Sequence, residues 1–130
     1  MIDHIALHVS DLKKSIEFYD HALIPLGYKR LMEKPQKNKQ GVLIFGWEDS
    51  LHTDLWISEG LSTSPPLHIA FRVDHRSQVD EFYRSALAAG GKDNGKPGVR
   101  PEYHKNYYGA FVWDPNGHNI EAVCHTSFGG

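Results

Sequence analysis

Residues 4–9 alternate in character. Ile5, Leu7 and Val9 fall on one side of an extended chain, and His4, Ala6 and His8 fall on the other. This predicts a strand with one apolar face and a second face that carries histidine. Leu12, Ile16, Tyr19 and Leu23 then recur at helical spacing, with Ser10 or Asp11 available as N-cap. The same order returns later. Ile69, Phe71 and Val73 oppose His68, Ala70 and Arg72, and a stripe of Val79, Phe82, Ala86 and Leu87 follows. Ser77 with Asp80 has the spacing of a capping box. Gly27 and the pair Gly90-Gly91 are the expected helix stops.

The likeness is a repeat. Pairing residues 4–27 with the residues 64 later needs no gap, and ten of the 24 pairs are identical, from His4/His68 to Gly27/Gly91. A repeat of this length implies a duplicated supersecondary unit. Further strands are predicted after each helix: Tyr28–Glu33, Val42–Trp47 and Thr53–Ser58 in the first unit, and two runs around Asp114-Pro115-Asn116-Gly117 in the second. In that turn Asn-Gly tolerates a positive φ. "KPQKNKQG" is predicted to be a solvated loop. "KDNGKPG" is mostly turn chemistry and predicts only a weak strand near Lys92. Each unit is thus β-α-β-β-β, an α+β arrangement with module one at 1–58, a linker at 59–66 and module two at 67–126.

Composition narrows the chemistry. The chain has 130 residues and a net charge of −2, so no basic surface points to nucleic acid. No apolar run is long enough for a membrane span, and the first residues lack the features of a signal peptide. One cysteine, Cys124, excludes an internal disulfide and fits a reducing, cytoplasmic setting; it is expected to be buried and inert. Nine histidines are the one excess, and histidine is the commonest metal ligand and acid–base group near neutral pH.

Paired units that open on "His-Ile-Ala" and end on "DPNGHNIEAV" resemble the vicinal oxygen chelate superfamily, which includes glyoxalase I, fosfomycin-resistance enzymes, extradiol dioxygenases and metal-free bleomycin-resistance proteins. The resemblance implies a curved mixed sheet enclosing a cavity, with helices outside. It implies a metal-dependent dioxygenase, lyase, isomerase or transferase, with ligands on the first and last strands of each unit. Those positions fall on His4, His68 and Glu121. The fourth falls on Trp56, because "TDLWIS" aligns with "NIEAVC" at a shift of 65, and tryptophan cannot ligate a metal. Two histidines and a carboxylate suit Zn, Fe, Mn, Ni or Co and leave positions for a small oxygenated substrate. The resemblance also implies a homodimer, with the cavity formed within one chain or across two.

Other residues have open readings. His8 shares a face with His4 and could replace it as a ligand, act as an acid–base group or support a ligand from behind, or else is a cavity wall. Tyr103 and His104, before a strand, are candidates for contact with substrate in the catalytic step, or else pack over the sheet edge. Trp56, Arg72, Tyr107 and Tyr108 are candidates for the substrate cavity. His52, His118 and His125 flank strands or turns and are expected at the surface. The competing function is a metal-free binder that holds a planar ligand among Trp47, Trp56, Tyr103, Tyr107 and Tyr108.

Overall fold

The structure is a computed structural model that describes residues 1–31, 34–49 and 52–127. In chain order it comprises β1 (Ile5–Val9), α1 (Leu12–Leu23), a 3₁₀ turn (Ile24–Leu26), β2 (Lys29–Arg30), β3 (Gln36–Lys37), β4 (Leu43–Glu48), β5 (Thr53–Glu59), β6 (His68–Val73), α2 (Arg76–Ala88), β7 (Lys92–Val99), β8 (Tyr108–Trp113) and β9 (Asn119–Cys124). No helix among the described residues is long and apolar enough to cross a membrane.

The strands form two sheets of matching design. One runs β1-β5-β4-β2 with β3 also on β4, and the other runs β6-β9-β8-β7. In each, the first strand of the module pairs in parallel with the last, and the other pairings are antiparallel. The two helices pack on each other and on one side of the sheets. Leu7 and Val9, like Ile69, Phe71 and Val73, are buried on that side, while Ala6, His8, His68, Ala70 and Arg72 stand exposed on the other. This is the α+β, tandem-module architecture that the repeat implies.

Local chemistry explains the element ends. Asp11 caps α1 by accepting from Lys14 N at 3.2 Å. Beyond the 3₁₀ turn, Gly27 takes φ 94°, a left-handed conformation that suits glycine. The second helix starts earlier than its Ser77/Asp80 spacing predicts. Its N-cap is His75, whose backbone N–H donates to Gln78 Oε1 at 3.1 Å. Asp80 instead accepts a hydrogen bond from Tyr108 at 2.6 Å, which takes it out of any capping role. Two strand expectations also shift. The polar loop contains β3, and β7 is a full eight residues with irregular register. Its glycines make room for a neighbour: a Cβ on Gly95 would come 2.8 Å from the Phe111 ring. Of the strand expected at Tyr28–Glu33, only Lys29–Arg30 forms one, and Met32 and Glu33 lie outside the described residues.

A buried polar chain joins the modules. Tyr19 on α1 donates to Asp114 Oδ2 at 2.5 Å, and Asp114 Oδ1 accepts from Asn116 N at 2.9 Å and His118 N at 2.8 Å. His118 is fully buried, contrary to the surface position expected of it. It lies beneath the turn because its Nδ1 accepts from Leu67 N at 2.9 Å. Asn119 N in turn donates to Leu67 O at 2.8 Å. Leu67 is therefore held on both sides, which fixes His68 opposite Asn119 and Ala70 opposite Glu121.

Replacing Tyr19 by Phe strips one donor from a buried carboxylate and is expected to cost about 1–3 kcal/mol, read as a lower urea midpoint with an unchanged slope. A second expectation concerns alkali. Tyr19, Tyr28 and Tyr108 each donate to an aspartate, and their ionisation is pushed upward, chiefly by burial and then by that partner; Tyr108 reaches about 12. The raised folded-state values add stability that is complete below about pH 10 and is lost as pH rises toward about 12. The share of phenolate absorbance that Tyr19→Phe, Tyr28→Phe and Tyr108→Phe variants assign to these three residues should appear together with loss of the folded circular dichroism signal, rather than ahead of it.

Candidate functional site

Glu121 sits mid-way along β9 with no exposed surface. Its register partner on β6 is Ala70, whose small side chain leaves space above the sheet. Across that space, His68 Nε2 lies 2.8 Å from Glu121 Oε1, and the His68 side chain is 53% exposed. The second carboxylate oxygen, Oε2, accepts a hydrogen bond from the Tyr107 hydroxyl. The two contacts satisfy a carboxylate that would otherwise be costly to bury. Together with Tyr103, His104 and Phe111 these residues line a cavity of about 310 Å³.

The mouth of this cavity is an aromatic and imidazole stack. Tyr107 packs on Tyr103 at 4.8 Å, and on His104 and His125 at 5.4 Å each. His104 Nε2 meets His125 Nδ1 at 2.8 Å, while His104 Nδ1 accepts from Asn106 N at 3.1 Å. Both ring nitrogens of His104 are thus engaged, and the proton between the two rings sits on His104 Nε2. Burial and the bond to Glu121 push the Tyr107 phenol well above its ordinary range, so it stays protonated and donates.

The other sequence candidates lie elsewhere. His4 precedes β1, half-exposed, with its Nδ1 2.7 Å from Asp3. It lines a separate cavity of about 240 Å³ that also includes Tyr28, His52, Asp54 and Arg72. Within one chain the structure therefore brings His68 and Glu121 together and leaves His4 and Arg72 out. His8 is exposed on the open face of β1, and its backbone N donates to Thr63 at 2.8 Å. Tyr108 points to the helix side, where it bonds Asp80 and lies under Arg76, so it does not line the cavity, whereas Tyr107, just before β8, bonds Glu121. Trp47 is buried against Tyr19 and is lost to any ligand-binding set.

Trp56 pairs with Ala6 as Glu121 pairs with Ala70. Its neighbours Leu55 and Ile57 are buried toward the helices, so Trp56 occupies the opposite, open side. A Cβ on Gly46 would come 2.9 Å from its ring, which shows where that ring lies.

Three features escape a reading of the sequence. Gly109 is a cradle: a Cβ there would stand 3.1 Å from both Glu121 Oε2 and the Tyr107 ring. Phe111 contributes a cavity wall, signalled only by its alternation with Ala110 and Val112. Asp49, His52 and Asp54 bring three ligand atoms within 4.8 Å of one another at the β4–β5 turn. There His52 N donates to Asp49 Oδ1 at 2.9 Å and Tyr28 donates to Asp54 at 2.6 Å, so this group also serves to close the hairpin.

Known proteins share this framework. The metallothiol transferase FosB of Shouchella clausii (strain KSM-K16) is 27% identical over 137 residues, covering 96% of this chain and 80% of FosB. A glyoxalase/bleomycin resistance protein from Albidiferax ferrireducens T118 matches at TM-score 0.72 and 25% identity, over 95% of this chain and 98% of that one. A FosX variant from Listeria monocytogenes, complexed with Mn(II) and 1S,2S-dihydroxypropylphosphonic acid, matches at TM-score 0.67 and 23% identity, over 97% and 93% of the two chains. Residues 1–122 match the family as a whole, and the chain belongs to the Glyoxalase/Bleomycin resistance protein/Dioxygenase superfamily.

Proposed function

We propose that the protein is a metal-dependent enzyme acting on a small oxygenated substrate, and that its divalent ion is held by His68 and Glu121 of one chain and by His4 of a second copy. The observation that carries this reading is the pairing of a fully buried carboxylate with a half-exposed imidazole on the open side of the sheet. The donor set fits. Imidazole nitrogen and carboxylate oxygen suit divalent transition ions. Donors on adjacent positions of one ion, with bonds of about 2.1 Å, lie about 3 Å apart, close to the 2.8 Å between His68 Nε2 and Glu121 Oε1. The name of the FosB relative and the Mn(II) in FosX agree with this chemistry.

The second copy follows from the split between cavities. His4 heads β1 as His68 heads β6, but it opens into a different cavity. The faces carrying Ala6, His8, Ala70 and Arg72 are exposed in the single chain and offer a surface for another. The bound ion would supply Lewis-acid polarisation of a substrate oxygen. Around it the chain supplies shape and orientation. Phe111 and Tyr107 give flat apolar walls, and Tyr103, 61% exposed, brings a hydroxyl to the mouth that makes no hydrogen bond among the described residues. His104, tied to His125 and Asn106, holds the loop carrying Tyr103 and Tyr107 in place. Trp56 leaves the first module without a competing carboxylate at the position equivalent to Glu121.

Protein purified without a histidine tag is expected to retain about one divalent transition ion per chain. His4→Ala, His68→Ala and Glu121→Ala should each abolish retention in metal analysis. Mixing His4→Ala with His68→Ala chains tests the shared site. About a quarter of the wild-type metal should return, because half of the dimers are mixed and each of those keeps one intact site. Full retention by Glu121→Ala overturns the metal centre, and no recovery on mixing overturns its division between chains.

A further inference from the structure

We infer that Tyr107 is a positioning residue that occupies Glu121 Oε2, so that Glu121 presents the single oxygen Oε1 beside His68. The inference rests on the proposed metal centre and adds to it how the carboxylate binds. A carboxylate with both oxygens free can take two positions on an ion; one whose second oxygen is committed takes one, leaving the other for substrate or water.

Three observations support it. The first is the division of the carboxylate: His68 Nε2 is 2.8 Å from Oε1, while the Tyr107 hydroxyl donates to Oε2, and the whole side chain is closed to water. The second is the clamp on the tyrosine ring. Tyr103, His104 and His125 contact it with centroid separations of 4.8, 5.4 and 5.4 Å. Its backbone is tied by Arg100 N to Tyr107 O at 2.7 Å and by Tyr107 N to His104 O at 3.2 Å. The hydroxyl therefore cannot swing away without dismantling the loop. The third is the cradle at Gly109, where any side chain would press on both Oε2 and the ring at 3.1 Å. A glycine here leaves room for the bond and for little else.

Co(II) provides the test, since its visible absorption weakens as coordination number rises. Tyr107→Phe frees Oε2, so the Co(II)-loaded variant is expected to absorb more weakly than wild type and to bind Co(II) about 10–100-fold less tightly. Gly109→Ala, whose Cβ would press on both the ring and Oε2 at 3.1 Å, is expected to shift the spectrum in the same direction. Tyr108→Phe, whose hydroxyl serves Asp80 on the helix side, should leave the spectrum as in wild type. If Tyr107→Phe and wild type give the same Co(II) spectrum and affinity, Tyr107 does not set how Glu121 binds, and the inference is overturned. A loss of thermal stability alone in Tyr107→Phe overturns it equally. Failure of wild-type protein to bind Co(II) at all overturns the metal centre itself, and this inference with it.

Discussion

Asp114 is almost wholly removed from water, and each hydrogen bond it accepts ties down a segment whose position matters to another. Tyr19 brings α1 of the first module to the turn of the second. The backbone N–H groups of Asn116 and His118 shape that turn around the same carboxylate. His118, buried by this geometry, grips Leu67 at the entry to β6. A slip of one residue there would reverse every side chain of the strand and carry His68 away from Glu121. The pairing at the candidate site is thus set by a polar chain on the far side of the sheet.

Glu121 and Trp56 show what duplication permits. The same framework position is used twice, each time facing the open side of a sheet and each time next to a glycine on the adjacent strand. Gly46 gives space to the indole of Trp56, and Gly109 gives space to the carboxylate of Glu121. The volumes are accommodated similarly, but the chemistry is opposite: one module offers a charged ligand group and the other an apolar surface. Under the proposed metal centre, each chain would supply one such carboxylate rather than two.

Much of this is legible in the sequence, and the limits have physical causes. The repeat and its alternation fix the strands, the helix faces and even the Trp56/Glu121 correspondence, since side-chain direction in a strand follows from parity alone. Tyr108 illustrates the limit: three tyrosines near one strand look alike, and only the start of β8 decides that Tyr107 and Tyr108 point to opposite sides. The length of β7 is hidden because its glycines and proline suggest a turn, whereas the glycines relieve crowding against Phe111. His118 resembles a surface residue because its partner, Leu67 N, is a backbone group 51 residues away and leaves no mark in a pattern of side chains. Likewise, His4 and His68 correspond in sequence but line different cavities, because the way two modules pack lies beyond any local signal.

The bond from Tyr19 to Asp114 spans 95 residues, and that from Asn116 to Ser10 spans 106. Contacts so distant in sequence carry the closure entropy of a long segment and raise the contact order, which slows folding. During synthesis, the first helix emerges long before the turn that receives its tyrosine, so the first module must wait with that polar group still in water. The two halves, similar as they are, would not mature as independent units: the seam between them closes only once the turn at Asp114–Asn116 of the second module is available.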